Sequence, residues 1–104
     1  MKTPEGRGRG GDAFGLDTIV QVRPDVLFRQ LGDEVVALDL QSGKYYGLNE
    51  VGSRVWDLLL TPRPLGDVQE ALLHEYDVPA GDLWRDLESL VSELVRHGLA
   101  EVRA

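Results

Sequence analysis

The chain has 104 residues, no cysteine, and a formal net charge of −7 from 11 Lys and Arg against 18 Asp and Glu. Its length supports one domain with one modest core, and the absence of cysteine excludes disulfides, thiolate metal sites and thiol catalysis. The negative charge disfavours binding to nucleic acid, and no apolar run approaches the roughly 20 residues that a membrane helix needs.

Residues 1–15 are rich in glycine and carry three basic and two acidic side chains. Such a composition cannot bury enough apolar surface to fold, so we predict a flexible arm followed by a domain at residues 16–104. The start of the chain lacks the apolar stretch of a secretory signal. We therefore expect a cytoplasmic protein.

The first half of the domain has the pattern of short strands. Runs of β-branched and apolar residues separated by Pro, Gly, Asp and Ser predict strands at Thr18–Val22, Val26–Leu31, Glu34–Leu40 and Lys44–Leu48. The connections are too short for a crossover helix. They predict a small antiparallel meander of three or four strands.

The second half has helical periodicity. A first helix is predicted from Asn49, a good N-cap residue, to about Leu60, and a second spans about Asp67–Tyr76. A third begins at Asp82 as N-cap and ends at Gly98 as a left-handed cap, with Leu83, Leu87, Leu90 and Leu94 on its buried face. The predicted fold class is α+β and winged-helix-like: a three-stranded antiparallel sheet followed by three helices.

Residues that carry chemistry are scarce. His74 and His97 fall on different helices without a carboxylate at matching spacing, and the chain has no metalloprotease motif, nucleophile elbow or phosphate loop. We therefore predict no catalytic residues, no metal site and no cofactor, and a protein that is not an enzyme.

The strand at Lys44–Leu48 is the strongest candidate for a binding site. It runs directly into a helix, which leaves its outer side without an obvious partner strand, and an unpaired edge invites strand addition by a peptide. Tyr46 shares a face with Leu48, whereas Tyr45 points the other way. On the third helix, Trp84 and Val91 form a second apolar line that could wall a groove, with Arg85 and Glu88 at its rim.

An ordered set of segments resembles the PqqD-like family over about residues 19–103. The set comprises Gly43–Glu50, Val55–Leu59, His74–Val78, Asp86–Leu90, Leu94 and Gly98–Leu99. Members of that family recognise the leader of ribosomally made, post-translationally modified peptides. The resemblance implies that a leader adds as an antiparallel strand beside the third strand of the family's sheet, in a groove bounded by the third helix. In this chain that strand is Lys44–Leu48. The residues implied are Lys44, Tyr45, Tyr46, Gly47, Leu48, Trp84, Arg85, Leu87, Glu88 and Val91.

A free-standing chain of this size is most similar to the recognition protein of lasso-peptide pathways. The resemblance implies delivery of a precursor peptide to a cysteine leader peptidase and an ATP-dependent cyclase, with no nucleic acid or membrane partner. Three alternatives stay open at this point. The chain could be a PqqD-type peptide chaperone for a radical enzyme, or a winged-helix DNA-binding regulator, or it could form a dimer through its own open edge.

Overall fold

A computed structural model describes residues 14–103, so the predicted arm lies outside the described residues except for Phe14 and Gly15. Phe14 packs against the core. The elements in chain order are β1 (Ile19–Val22), β2 (Phe28–Leu31), β3 (Glu34–Asp39), β4 (Lys44–Leu48), α1 (Glu50–Leu58), β5 (Arg63–Pro64), α2 (Leu65–Glu75), α3 (Ala80–Arg96) and β6 (Ala100–Arg103).

The predicted three-stranded meander followed by three helices is confirmed, and the meander consists of β2, β3 and β4 in that spatial order. Glycines at positive φ make both of its turns, Gly32 at +63° and Gly43 at +73°. The two-residue turn at Gly32 pairs Leu31 with Glu34, which is the geometry expected when glycine begins a tight hairpin.

The first predicted strand does not join this meander. β1 lies at the centre of a second sheet, between the two-residue β5 and the C-terminal β6. It pairs antiparallel with β6 from Ile19–Arg103 to Val22–Ala100, so the second sheet joins the two ends of the described chain.

Local signals set most of the helix boundaries. The Asn49 side chain accepts a hydrogen bond from the Gly52 N–H at 2.8 Å and caps α1, as the sequence predicts. Gly98 has φ +71° and ends α3 as the predicted left-handed cap. The predicted start of α3 is wrong, because the helix begins after Pro79 and Asp82 lies inside its first turn.

One core holds both sheets and all three helices together. Its fully buried side chains include Trp56 from α1, Leu65 and Leu72 from α2, and Leu94 from α3. Phe28 of β2 packs edge-on against Trp56, with 5.3 Å between ring centroids. The meander is thereby fixed to the helices through one of its faces. No helix within residues 14–103 is long and apolar enough to cross a membrane.

Candidate functional site

The outer side of β4 is an open sheet edge. β4 pairs with β3 from Asp39–Lys44 to Val35–Leu48, and its opposite side has no strand beside it in the described part of the chain. An open edge presents a row of backbone N–H and C=O groups that a further strand can pair with.

The pairing register of β3 and β4 identifies the backbone N–H and C=O groups of β4 that point away from β3. The Leu38 N–H donates to the Leu27 carbonyl at 2.9 Å, away from β4, so Leu38 and its partner Tyr45 form a non-hydrogen-bonded pair. The backbone N–H and C=O groups of Tyr45 therefore point away from β3. Those of Gly47 point the same way, because backbone groups two residues apart on a strand face the same side. A Cβ at Gly47 would meet no atom within 4 Å, so the face of the sheet is open at this position.

Ser53 of α1 joins the end of β4 to α1 through side-chain hydrogen bonds. Its hydroxyl is buried, accepts a hydrogen bond from the Val35 N–H at 2.7 Å, and donates one to the Leu48 carbonyl at 3.1 Å. It therefore replaces a direct ladder bond between β3 and β4. The strand edge and the first turn of α1 are held as one unit.

A groove of about 550 Å³ lies between β4, α1, the end of α2 and the first half of α3. Its surface is mostly apolar, with backbone and side chains of β4 on one wall and α3 on the other. The lining residues are Tyr46, Gly47, Leu48, Asn49, Val51, Gly52, Val55, Leu72, Tyr76, Val78, Pro79, Asp82, Leu83, Asp86, Leu87 and Leu90.

A polar contact ties the turn before β4 to the end of α3. The Asp39 carboxylate is buried, accepts hydrogen bonds from the N–H groups of Gln41 and Ser42, and lies 3.2 Å from His97 Nδ1. Burial favours the protonated form of Asp39, but these hydrogen bonds outweigh it, so the pKa of this carboxyl is lowered. The His97 ring also lies 5.2 Å from the ring of Tyr46.

Tyr46 is half-buried on the groove side of β4. Burial raises the pKa of its hydroxyl, and the nearby negative charge of Glu93 raises it further. The phenol therefore stays neutral at physiological pH and serves the groove as an aromatic wall with one polar end.

Comparison with known proteins identifies the family of this chain. Residues 34–100 match the family described as coenzyme PQQ synthesis protein D (PqqD). The chain belongs to the PqqD family. The resemblance found in the sequence is therefore confirmed.

Two solved structures are similar to this PqqD-family chain. One is TbiB1 in complex with the TbiA(beta) leader peptide, which is 36% identical with a TM-score of 0.72 and covers 81% of this chain and 98% of that chain. The other is a lasso peptide synthetase B1 complexed with the leader peptide, which is 32% identical with a TM-score of 0.64 and covers 79% of this chain and 96% of that chain. A search of curated proteins returned no match.

The structure brings four of the expected site residues together on the groove of this PqqD-family chain: Tyr46, Gly47, Leu48 and Leu87. Lys44 is exposed at the start of β4. Tyr45 is 75% exposed and lies on the opposite face of the sheet from Tyr46, as expected for alternating strand residues.

The α3 wall differs from the sequence expectation. Residues Asp82, Asp86 and Leu90 flank the buried stripe on the groove side, whereas Trp84, Arg85 and Glu88 are not among the groove-lining residues. Trp84 is instead half-buried and packed against the core. At about 100° per residue, Trp84 and Glu88 lie on the opposite flank of the Leu83 and Leu87 stripe from Asp86 and Leu90, while Arg85 faces away from the stripe and pairs with Asp82.

The structure also differs from the sequence expectation at Val91. It is fully buried with 0% exposure, so it has no surface to offer a bound molecule. It follows Leu87 by four residues and faces the core, while Leu90, expected in the core, is only partly buried and lines the groove. Sequence periodicity finds this apolar stripe, but apolar residues border it on both flanks and do not show from which side β4 approaches.

Sequence reasoning from residue types missed the groove residues contributed by α1 and by the connector between α2 and α3. Val51, Val55, Val78 and Pro79 belong to this group. Their apolar character is visible in the sequence, but their convergence on β4 depends on the packing of three helices. Within residues 14–103, no group of three or more His, Asp or Glu residues could hold a metal ion.

Proposed function

We propose that this chain binds the leader region of a ribosomally made precursor peptide as an added antiparallel strand on β4. The open edge beside an apolar groove is the observation that carries this proposal. The outward backbone groups of Tyr45 and Gly47 would supply main-chain hydrogen bonds, and the groove would receive alternate side chains. The two similar structures are both complexes with leader peptides, which supports a leader peptide as the molecule bound.

We further propose that the bound leader is presented to a cysteine leader peptidase and an ATP-dependent cyclase of a lasso-type pathway. A protein without chemistry of its own contributes to such a pathway by raising the local concentration of the precursor at the enzymes. The similarity to a lasso peptide synthetase B1 supports this pathway. The family description, coenzyme PQQ synthesis, favours a peptide chaperone for a radical enzyme as the second candidate.

Replacement of Gly47 by Pro tests strand addition. Proline removes an outward N–H at an edge strand, where the fold tolerates it, and its ring obstructs the approaching peptide. We expect the affinity for the labelled leader of the precursor encoded beside this gene to fall at least about tenfold, because a hydrogen bond is lost and an acceptor on the peptide is left unpaired.

The matched control is Gly47→Ala, which keeps the N–H and meets no atom within 4 Å. Fluorescence polarisation should give wild-type affinity for this variant, and circular dichroism should show that both variants fold. Equal binding by Gly47→Pro and Gly47→Ala would rule out pairing at this edge.

Reconstitution separates the two candidate pathways. Purified peptidase and cyclase from the same gene neighbourhood should process the precursor faster when the wild-type protein is added, and Gly47→Pro should not accelerate them. Acceleration of a radical enzyme instead would support the chaperone reading.

A further inference from the structure

The pairing of β4 determines which side chains of an added strand enter the groove. Residues directly opposite each other in an antiparallel pair project to the same face of the sheet. Those opposite Tyr46 and Leu48 would therefore face the groove, and their neighbours would face outward beside Tyr45. A bound peptide is thus expected to present alternate residues to α3.

The α3 wall offers these residues an apolar surface and one distinctive charge. Leu83, Leu87 and Leu90 line the groove together with Asp82 and Asp86. Asp82 forms an ion pair with Arg85, so its charge is already balanced. The ion pairs found among residues 14–103 do not include Asp86, which is exposed on the same wall.

We propose that Asp86 is a specificity-determining residue that selects a cationic side chain on the bound peptide. The class of peptide that fits has apolar residues two positions apart on one face and a Lys or Arg at an even spacing from them on that same face. This inference rests on the proposed function, because it assumes that the peptide is a strand on β4.

Charge complementarity supports this assignment. A carboxylate beside an apolar wall attracts a cation that is partly shielded from water, and it penalises an acidic residue at the same position. The net charge of −7 also favours the approach of a basic segment over an acidic one. A long Lys or Arg side chain can lie along the leucines of α3 and still place its charge at Asp86.

A display library of random 12-residue peptides provides the probe, since it requires no knowledge of the natural precursor. The library is selected against wild type, Asp86→Lys, Asp86→Asn, Glu88→Lys and Gly47→Pro, with Glu70→Lys as the matched control. Glu70 is exposed on α2 and outside the groove, so this control makes the same change of charge at a different place.

We expect wild type and Glu70→Lys to enrich the same pattern, with Lys or Arg on the apolar face. Asp86→Lys should enrich Asp or Glu at that position and keep the apolar positions. Asp86→Asn should lose the charge preference without reversing it, and this variant adds no charge that could disturb folding.

Affinity measurements on one enriched peptide and its Lys→Glu partner then complete a double-mutant cycle with wild type and Asp86→Lys. We expect a coupling of about two- to fivefold in affinity, the range of partly exposed ion pairs, and a smaller coupling at about 1 M NaCl. Unchanged enrichment in Asp86→Lys would overturn the assignment of Asp86, as would a charge reversal seen only in Glu88→Lys on the other flank of α3.

The failure of this inference is distinguishable from the failure of the proposed function. If Gly47→Pro enriches nothing while Asp86→Lys enriches the wild-type pattern, peptides bind at β4 and Asp86 is not the selector. If Gly47→Pro enriches the wild-type pattern, binding does not use the edge and the proposed function fails with the inference.

Discussion

Asp39 shows how a single residue links the turn before β4 to the C-terminal end of α3. It is the last residue of β3, and its buried carboxylate closes the turn into β4 by accepting two backbone N–H groups. The same carboxylate contacts His97 at the end of α3, 58 residues away along the chain. The start of the open edge and the C-terminal end of α3 are thereby linked through one side chain.

The lowered pKa of Asp39 makes this link dependent on pH. The stabilisation from ionised Asp39 is fully present above its unfolded pKa of about 4 and is lost as the pH falls through the lower folded pKa. We expect Asp39→Asn to be less stable than wild type at pH 7 and to lose less stability on acidification. Urea unfolding at pH 7 and at pH values below about 4 measures this difference, and parallel pH profiles for the two proteins would contradict it.

At the scale of elements, the edge strand is useful because it is held without being covered. β4 is anchored through its turn, through its ladder with β3, and through the cap of α1, while its outer side stays open. Asn49 caps α1 directly after β4, and Ser53 of α1 makes the hydrogen bonds to Val35 and Leu48. An incoming strand therefore meets an edge whose conformation is already fixed, which lowers the entropic cost of binding.

Ser53→Ala tests this anchoring. The change leaves the buried N–H of Val35 and the carbonyl of Leu48 without their hydroxyl partner, so we expect the free energy of unfolding to fall by about 2 kcal/mol. Ser89→Ala is the matched control, because Ser89 is exposed on α3 and its loss should change stability by less than about 0.5 kcal/mol. Equal unfolding midpoints for the two variants in urea would show that the bridge contributes nothing.

At the scale of the whole molecule, local signals in the sequence predict the elements, and contacts between distant residues decide how they combine. Asn49 and Gly98 each act within a few residues, and the structure has the N-cap and the left-handed cap as predicted. The pairing of β1 with β6 was not predictable in this way, since β1 could equally have extended the meander.

Local signals likewise predict one part of the candidate site, and contacts between distant residues decide the other. The open edge follows from a strand that runs directly into a helix, which is visible in the sequence. The identity of the helical wall depends on the rotation of α3 about its own axis, which is set by the packing of α3 against α2 and β6. The sequence therefore indicates α3 as a wall of the groove, but it does not show which flank of α3 faces the groove.

The separation between the core and the edge leads to a last prediction, that stability and peptide affinity change independently. Leu65 is fully buried at the start of α2, where its N–H donates to the Thr18 carbonyl, and it does not line the groove. Leu65→Ala should cost about 2–5 kcal/mol of folding free energy through the cavity it creates. A domain of this kind typically has about 5–15 kcal/mol, so we expect the variant to stay mostly folded at 25 °C with a lowered Tm.

The affinity of the Leu65→Ala variant for the leader, corrected for the folded fraction, should stay within about twofold of wild type, because the edge and the groove wall are unchanged. A leader concentration of about 100 Kd should raise the free energy of unfolding of both proteins by about 2.7 kcal/mol, since only the folded state binds the leader. Calorimetric unfolding with and without leader measures both quantities. A large affinity loss in Leu65→Ala, with β4 residues still protected from hydrogen exchange, would show that the core and the edge are coupled.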